Sequence, residues 1–525
     1  MNGVIMRRIF LLLLVLHCGN AFSQYGQWTW MGGDTIYNIA AVRGGLGVPS
    51  VNYNPGARYE AMTFTDVLNN FWLYGGQLNA GSVAHWYSDL WKYDPATHEW
   101  TWVKGPSIYD QPGVTGTVGV PAPANNPPAI MAACSWADTY NNLWLFGGGS
   151  NNLWKYSITT NQWTLMKTGT ARYGTKGVGH PANNPPARDE ATCTWKIGET
   201  LWMFGGRNAG NGHLNDLWKY TLQTNTWTWM GGDTILNGTG VYGTKGISSP
   251  ANKPGARSAY CSWYSNYKLW LFGGNATYYY NDLWNFDPFT AEWTWVSGDS
   301  SAGMTQGYYG SQCVASPLNV PGHRTENKTS WTDLDGNLWM YGGSWAPADL
   351  WKFDISLNQW IWVMGDTVLR TGGLLPTYGT KGVASIFNTP GSRNGTPSWQ
   401  SADGSFWLYG GIFQLGAKRN DLWKYTLDTA AGNCSYVGLH EMKSTELADG
   451  NVFSNPAHNF CTVEFPELKG RKITIAVFDI QGKVIRQEEI LQNSTTVDLS
   501  GIVAGMYFIR IQTATSSRSF KLIKY

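Results

Sequence analysis

Short apolar runs separated by turn residues fill most of the chain, and residues 185–229 show the pattern at its clearest. The first run there holds Cys193 and Trp195. The second is Leu201 to Phe204, stopped by Gly205 and Gly206. The third is Leu217 to Tyr220, entered through Asp216, and the fourth is Trp227-Thr228-Trp229. Runs this short, rich in Trp, Tyr and Thr and bounded by Gly, Asn and Asp, predict strands. Four in succession predict one small antiparallel sheet. A sheet of that size cannot bury its own faces, so it must stack on copies of itself.

The copies are present. The double glycine recurs at Gly75-Gly76, Gly147-Gly148, Gly205-Gly206, Gly273-Gly274, Gly342-Gly343 and Gly410-Gly411, at spacings of 72, 58, 68, 69 and 68 residues. An Asp/Asn-Leu-Trp follows each pair, ending at Trp91, Trp154, Trp218, Trp284, Trp351 and Trp423. These motifs resemble the kelch repeat over residues 25–430. The resemblance implies an all-β chain whose main body is a six-bladed β-propeller.

The ends of the array support a closed ring. The sixth copy stops after Trp423-Lys424-Tyr425, without a Trp-x-Trp strand, whereas an orphan Trp28-Thr29-Trp30 precedes the first copy. The N-terminal strand is therefore expected to complete the last blade and remove exposed sheet edges.

Arg7 and Arg8, the apolar run Ile9 to Leu16 and the small-residue site Ala21-Phe22-Ser23 predict a signal peptide over residues 1–23. The propeller is expected over 24–428 and a linker over 429–449. No later run is apolar enough to span a bilayer. The net charge is +2 and charged residues are only 14% of the chain, with the basic ones scattered. That argues against nucleic acid as a partner. Cys134, Cys193 and Cys261 share one repeat slot and read as small core residues. Cys313 falls in a loop. Cys434 and Cys461 flank the start of a second domain, and their spacing leaves a disulfide open.

The 30 tryptophans invite a carbohydrate-binding interpretation, but all except Trp86 and Trp345 occupy recurring strand slots. Slots filled in nearly every blade are expected to pack the blades together. Trp86 and Trp345 lie instead in loops between second and third strands, which open on the same side as the blade-to-blade crossovers. These loops differ from one another. They carry His85, Trp86 and Tyr87, then Arg207 and His213, then Tyr278, Tyr279 and Tyr280, and in the last blade Phe413, Lys418 and Arg419. Aromatics beside cations and amides suit a sugar ring or a peptide. The crossovers run 19–27 residues and repeat a Tyr-Gly-Thr-Lys-Gly core at 173–177, 242–246 and 378–382. They are either binding loops or a structural collar.

Arg58, Arg188, Arg257, Arg324 and Arg393 open the first strands, with Ile130 in the remaining blade. The first strand is innermost, so these cations are expected to rim the channel on the loop-rich face. Glu60, Glu190 and Glu326 follow two residues after their arginines in alternate blades. Ion pairing within the scaffold and an anionic-ligand or acidic-sugar site are both open on this pattern. An extra residue before Trp195 and Trp331 leaves the facing of Glu190 and Glu326 open as well.

Galactose oxidase also has a kelch propeller, but the copper-site pattern of two His, two Tyr and a Tyr-linked Cys finds no counterpart here. The expectation is no metal, no cofactor and no catalytic residue. The favoured function is a secreted or surface binding or adhesion module for glycans or proteins. The alternative is a sugar-active enzyme, epimerase-like or copper-radical oxidase-like, working at the channel rim.

Beyond residue 450 the repeat gives way to a smaller β-domain. It has Phe453 and Asn455-Pro456, Asp479 to Lys483, Leu499, Ala504-Gly505-Met506-Tyr507-Phe508 and a closing Lys521-Leu522-Ile523-Lys524. This resembles the type A C-terminal sorting domain of the type IX secretion system of Bacteroidota, with Ser454 where that family usually has Pro. The resemblance covers residues 450–525. It implies an Ig-like sandwich read by the secretion machinery, and export to the medium or the outer-membrane surface.

Overall fold

The computed structural model describes residues 26–427 and 451–524, apart from short stretches at 81–82, 192–194, 209–211, 302, 371–372, 414–415, 454–456, 465–472, 480–483, 492–493 and 513–516. The expected leader, Cys193, Cys434 and the linker lie outside the described residues.

Six antiparallel sheets follow one another along residues 26–427. Blade three shows the order, from Trp195–Ile197 at the centre through Thr200–Asn208 and His213–Thr221 to Thr226–Gly231 at the rim. The innermost strands are Met62–Thr65, Cys134–Ala137, Trp195–Ile197, Cys261–Ser265, Ser330–Thr332 and Ser398–Gln400. Each adjoins the next, and the last adjoins the first, so the ring is closed.

Closure uses the N-terminal strand, as the orphan Trp-x-Trp predicts. Gly26–Gly32 pairs antiparallel with Leu422–Leu427, setting Trp28 opposite Tyr425 and Trp30 opposite Trp423. Trp28 is buried between blades, with its ring 5.2 Å from Tyr341 and 5.0 Å from Tyr425. First-strand indoles also tie blades together. Trp136 Nε1 donates to the Trp202 carbonyl at 3.1 Å, and Trp331 and Trp399 do the same to Trp399 and Trp72 at 2.8 and 3.1 Å. Large apolar rings that carry one donor suit these buried slots between blades.

The crossovers cover the outer edge of the blade they lead into. Gly177 N donates to Trp229 O at 2.8 Å, and Gly246, Cys313 and Gly382 repeat this contact on Trp295, Trp362 and Trp30. An outer strand would otherwise expose a row of unpaired backbone groups. Tyr173, Tyr242, Tyr309 and Tyr378 anchor these crossovers by donating to Asp216, Asp282, Asp349 and Asp421 at 2.7–3.0 Å. The Tyr-Gly-Thr-Lys-Gly loops are thus part of the scaffold.

The C-terminal residues form a sandwich. One sheet holds Asn451–Phe453, Phe460–Glu464 and Ser494–Asp498; the other holds Val484–Ile490, Ile473–Phe478, Gly505–Gln512 and Ser517–Lys524. Cys461, Val463 and Val497 from the first pack with Ile475, Val477, Ile509 and Leu522 from the second. The first two strands of this domain are short, at three and five residues.

Candidate functional site on the loop-rich face

The arginine rim expected from the sequence is not a rim. Arg58, Arg188, Arg257, Arg324 and Arg393 are buried, each paired with an aspartate at the start of its own blade's third strand: Asp89, Asp216, Asp282, Asp349 and Asp421. Each guanidinium also donates to the carbonyl of the first glycine of its double glycine, at 2.7–3.0 Å. Buried where the blades pack, these charges are held by carboxylates and carbonyls of the scaffold. Asp89 and Asp421 lie below the usual carboxylate range: burial pushes them up, and the Arg58 and Arg393 charges and hydrogen bonds outweigh it. Blade two lacks the set as a unit, with Ile130 for Arg, Asn152 for Asp and Thr115 for the anchoring Tyr.

Two residues after these arginine positions, the backbone forms a second ring. Glu60, Ala132, Glu190, Ala259, Glu326 and Gly395 all take the left-handed conformation, with φ between 51° and 56°. That turn aims each N–H around the axis rather than along the strand. Glu60 donates to Gly395, Ala132 to Glu60, Glu190 to Ala132, Ala259 to Glu190 and Gly395 to Glu326, at 2.6–2.9 Å. Left-handed Glu and Ala cost about 1 kcal/mol or more each, and the blade-to-blade bonds hold them there. The extra residue in blades three and five does not change the facing: all three glutamates occupy equivalent places in alternate blades.

Their partners differ. Glu60 lies against Lys328 Nζ. Glu190 is 3.2 Å from Arg207 Nη2 and accepts from Ser258 Oγ at 3.0 Å, while Arg207 also holds Asp189 at 3.0 Å. Glu326 accepts from the Tyr59 hydroxyl. Burial pushes the Glu326 carboxyl up to about 7, with Glu60 and Glu190 adding and Tyr59 and Arg207 opposing. Burial also raises Glu190, which Arg207 counteracts in part.

Trp345 stands at the open end of this region. It is 51% exposed and has φ 60°, uncommon for a bulky residue. Thr325 and Ser344 exchange backbone bonds, so Glu326 and Trp345 each follow one member of a bridged pair. A cavity of about 650 Å³ runs from Trp345 past Phe413 and Asn394 to Glu326 and Tyr59. A second, of about 430 Å³, lies on the other side of Trp345, against His323 and Thr305. The Tyr279 ring lies 5.2 Å from that of His323 and 6.3 Å from that of Trp345, tilted against both.

The other expected binding residues divide by burial. Tyr87 is buried with Arg58 4.0 Å over its ring. Lys418 is buried and donates to Gln77 Oε1 at 2.7 Å and Asn79 Oδ1 at 2.5 Å, and burial lowers its pKa to about 8. Arg419 is buried against Phe413 and donates to Tyr378 at 3.0 Å. The polar groups of these three, like the five guanidiniums, are taken up by the scaffold, and their loops fold back on it. His85 pairs with Asp110 at 2.6 Å beside half-buried Trp86, and burial lowers the pKa of His213. None of His85, Trp86 and His213 lines the Trp345 cavity. Tyr59 and Asn394, which line that cavity, are scaffold neighbours of the arginine positions, and only the fold reveals their place in its wall.

A closed ring of four-stranded blades, each with a double glycine and a spaced Trp, defines a kelch β-propeller. Comparison with known families agrees: residues 117–317 match the KLHDC2/KLHL20/DRC7 Kelch-repeats domain, and residues 451–525 match the secretion system C-terminal sorting domain. The chain is similar to acyl-CoA-binding domain-containing protein 4 of Arabidopsis thaliana, 24% identical over 52% of this chain and 33% of that protein. It is also similar to Kelch domain-containing protein 1 of Mus musculus, 29% identical over 27% of this chain and 29% of that protein. The chain thus spans about a third of the length of these curated relatives. The sorting domain is the address of type IX export, so this is a secreted or cell-surface kelch protein. No helix among the described residues is long and apolar enough to cross a membrane.

Proposed function

We propose that the propeller is a binding module for extracellular glycans, acting through the loop-rich face. The observation that carries this is Trp345, a half-exposed indole held in a strained backbone conformation between two cavities. An exposed ring fixed in place offers a stacking platform at low entropic cost, and Tyr279, Asn394 and Glu326 supply aromatic and polar neighbours. Protein ligands would use the same face, but a concave site of about 650 Å³ suits a small sugar better than the flat epitope of a protein.

The test is a glycan array probed with the mature protein and with Trp345→Ala. Binding to a defined set of glycans, lost in the variant while its melting temperature holds, is the expected result. Glycan binding that survives Trp345→Ala, or that is lost only on replacing Trp86, removes the assignment to this cavity. A second reading, a sugar-active enzyme, draws on the Glu326 carboxyl at about 7, where a group can give and take protons near neutrality. Mass-spectrometric search for altered sugars after incubation with bound glycans checks it.

A further inference from the structure

The polar lining of the Trp345 cavity specifies more than a sugar ring. We infer that it takes an amino sugar with a free primary amine, the ammonium seated against Glu326 and Asn394. This rests on the glycan reading above and names the class of glycan.

Three observations converge. First, the cations that line the cavity are already engaged. Arg393 lines the cavity, yet its Nε donates to Pro390 O at 3.1 Å, Nη1 to Gly410 O at 2.8 Å and to Asp421, and Nη2 to Asp421 at 3.0 Å. Arg370 stands at the exposed edge, bound to Asp366. Second, the wall has an acceptor to spare. Asn394 Oδ1 is buried with no hydrogen-bond partner. Unmet buried acceptors are costly, and an incoming donor relieves that cost. Third, the ring of alternate glutamates is one cation short. Glu60 has Lys328 and Glu190 has Arg207, but Glu326 has the Tyr59 hydroxyl instead. An ammonium carries three donors and no acceptor, which matches this wall in both charge and hydrogen bonding.

Proton linkage follows from the same geometry. The groups facing Glu326 are Tyr59, Glu60, Glu190 and Arg207, with Lys328 reaching it only through Glu60. Burial and the two carboxylates favour a proton on Glu326 near neutrality. A bound ammonium favours the carboxylate, so binding releases that proton.

The experiment is calorimetric titration of the full mature chain at pH 7 with the trisaccharide of glucosamine and with its fully N-acetylated counterpart. The expected result is a preference of about tenfold or more for the free amine, the scale of one charge-assisted hydrogen bond. Glu326→Gln should abolish the preference for the free amine over the acetylated sugar. A second measurement needs no variant: at about pH 6, where the free sugar's amine already carries its proton and Glu326 is still largely protonated, the heat of binding taken in buffers of different ionisation enthalpy should show net proton release. Equal affinities for the two sugars, or a preference that persists in Glu326→Gln, overturn the inference and leave the glycan reading standing. Absence of saturable binding by either sugar overturns the inference; the glycan reading itself then stands or falls on the array.

Discussion

Replacing Arg188 and Asp216, singly and together, tests the account of the arginine set. The pair is fully buried, with Nη1 and Nη2 2.8 Å from the two carboxylate oxygens. Arg188 Nη1 also donates to Gly205 O at 2.7 Å, and Asp216 Oδ2 also accepts from Trp218 Nε1 at 2.7 Å and Tyr173 at 2.9 Å. Either single replacement, Arg188→Ile or Asp216→Asn, strands a buried charge, and should cost about 3–5 kcal/mol. Blade two predicts the outcome of the double variant, because it folds with Ile130 and Asn152 in these very slots. Arg188→Ile with Asp216→Asn should therefore be far less destabilised than the two singles added together, with a coupling of about 3 kcal/mol or more. Tyr173→Thr added to the double completes the blade-two set and should cost little more. Urea unfolding followed by tryptophan fluorescence measures all the variants. Additive costs would refute the view that the arginines serve the scaffold as matched pairs.

Deletion of residues 26–32 should lower the unfolding midpoint and raise hydrogen exchange along Leu422–Leu427, whose outer edge then lies open; exchange mass spectrometry reads this, with blade three as the internal comparison. Trp227→Ala should cost about 3–5 kcal/mol because that ring is wholly buried, whereas Trp345→Ala should change stability by less than about 0.5 kcal/mol; equal effects in denaturation would contradict the division into scaffold and platform. Stability should also depend on pH. The folded Glu326 carboxyl sits at about 7 against an ordinary 4.5, so the native state holds the extra proton between those values. Stability is then highest below about 4.5 as far as this group is concerned and falls as pH rises to 7, and Glu326→Gln should flatten that slope in urea midpoints taken across the range.

The repeat was legible without coordinates because its signals are local. A double glycine, an Asp-Leu-Trp and a Trp-x-Trp each describe one strand end, and their count and the orphan Trp28-Thr29-Trp30 together state how the ring closes. The sorting domain was legible for the same reason. The arginine-aspartate pairing also left a trace, since Ile130 and Asn152 depart together, but strand position alone placed the cations at a wet rim. Whether a strand start meets solvent or the neighbouring blade is set by packing across blades, and the two outcomes share one sequence pattern. The facing of Glu190 and Glu326 was undetermined for a related reason: an added residue shifts a two-residue alternation, and only the left-handed turn shared by all six blades restores it. The cavity beside Trp345 joins residues from three blades, among them Tyr59, Glu326 and Phe413. Local sequence determines strands and turns; which side chains meet at the axis is decided by closure, which brings together positions hundreds of residues apart through contacts that no short-range pattern encodes.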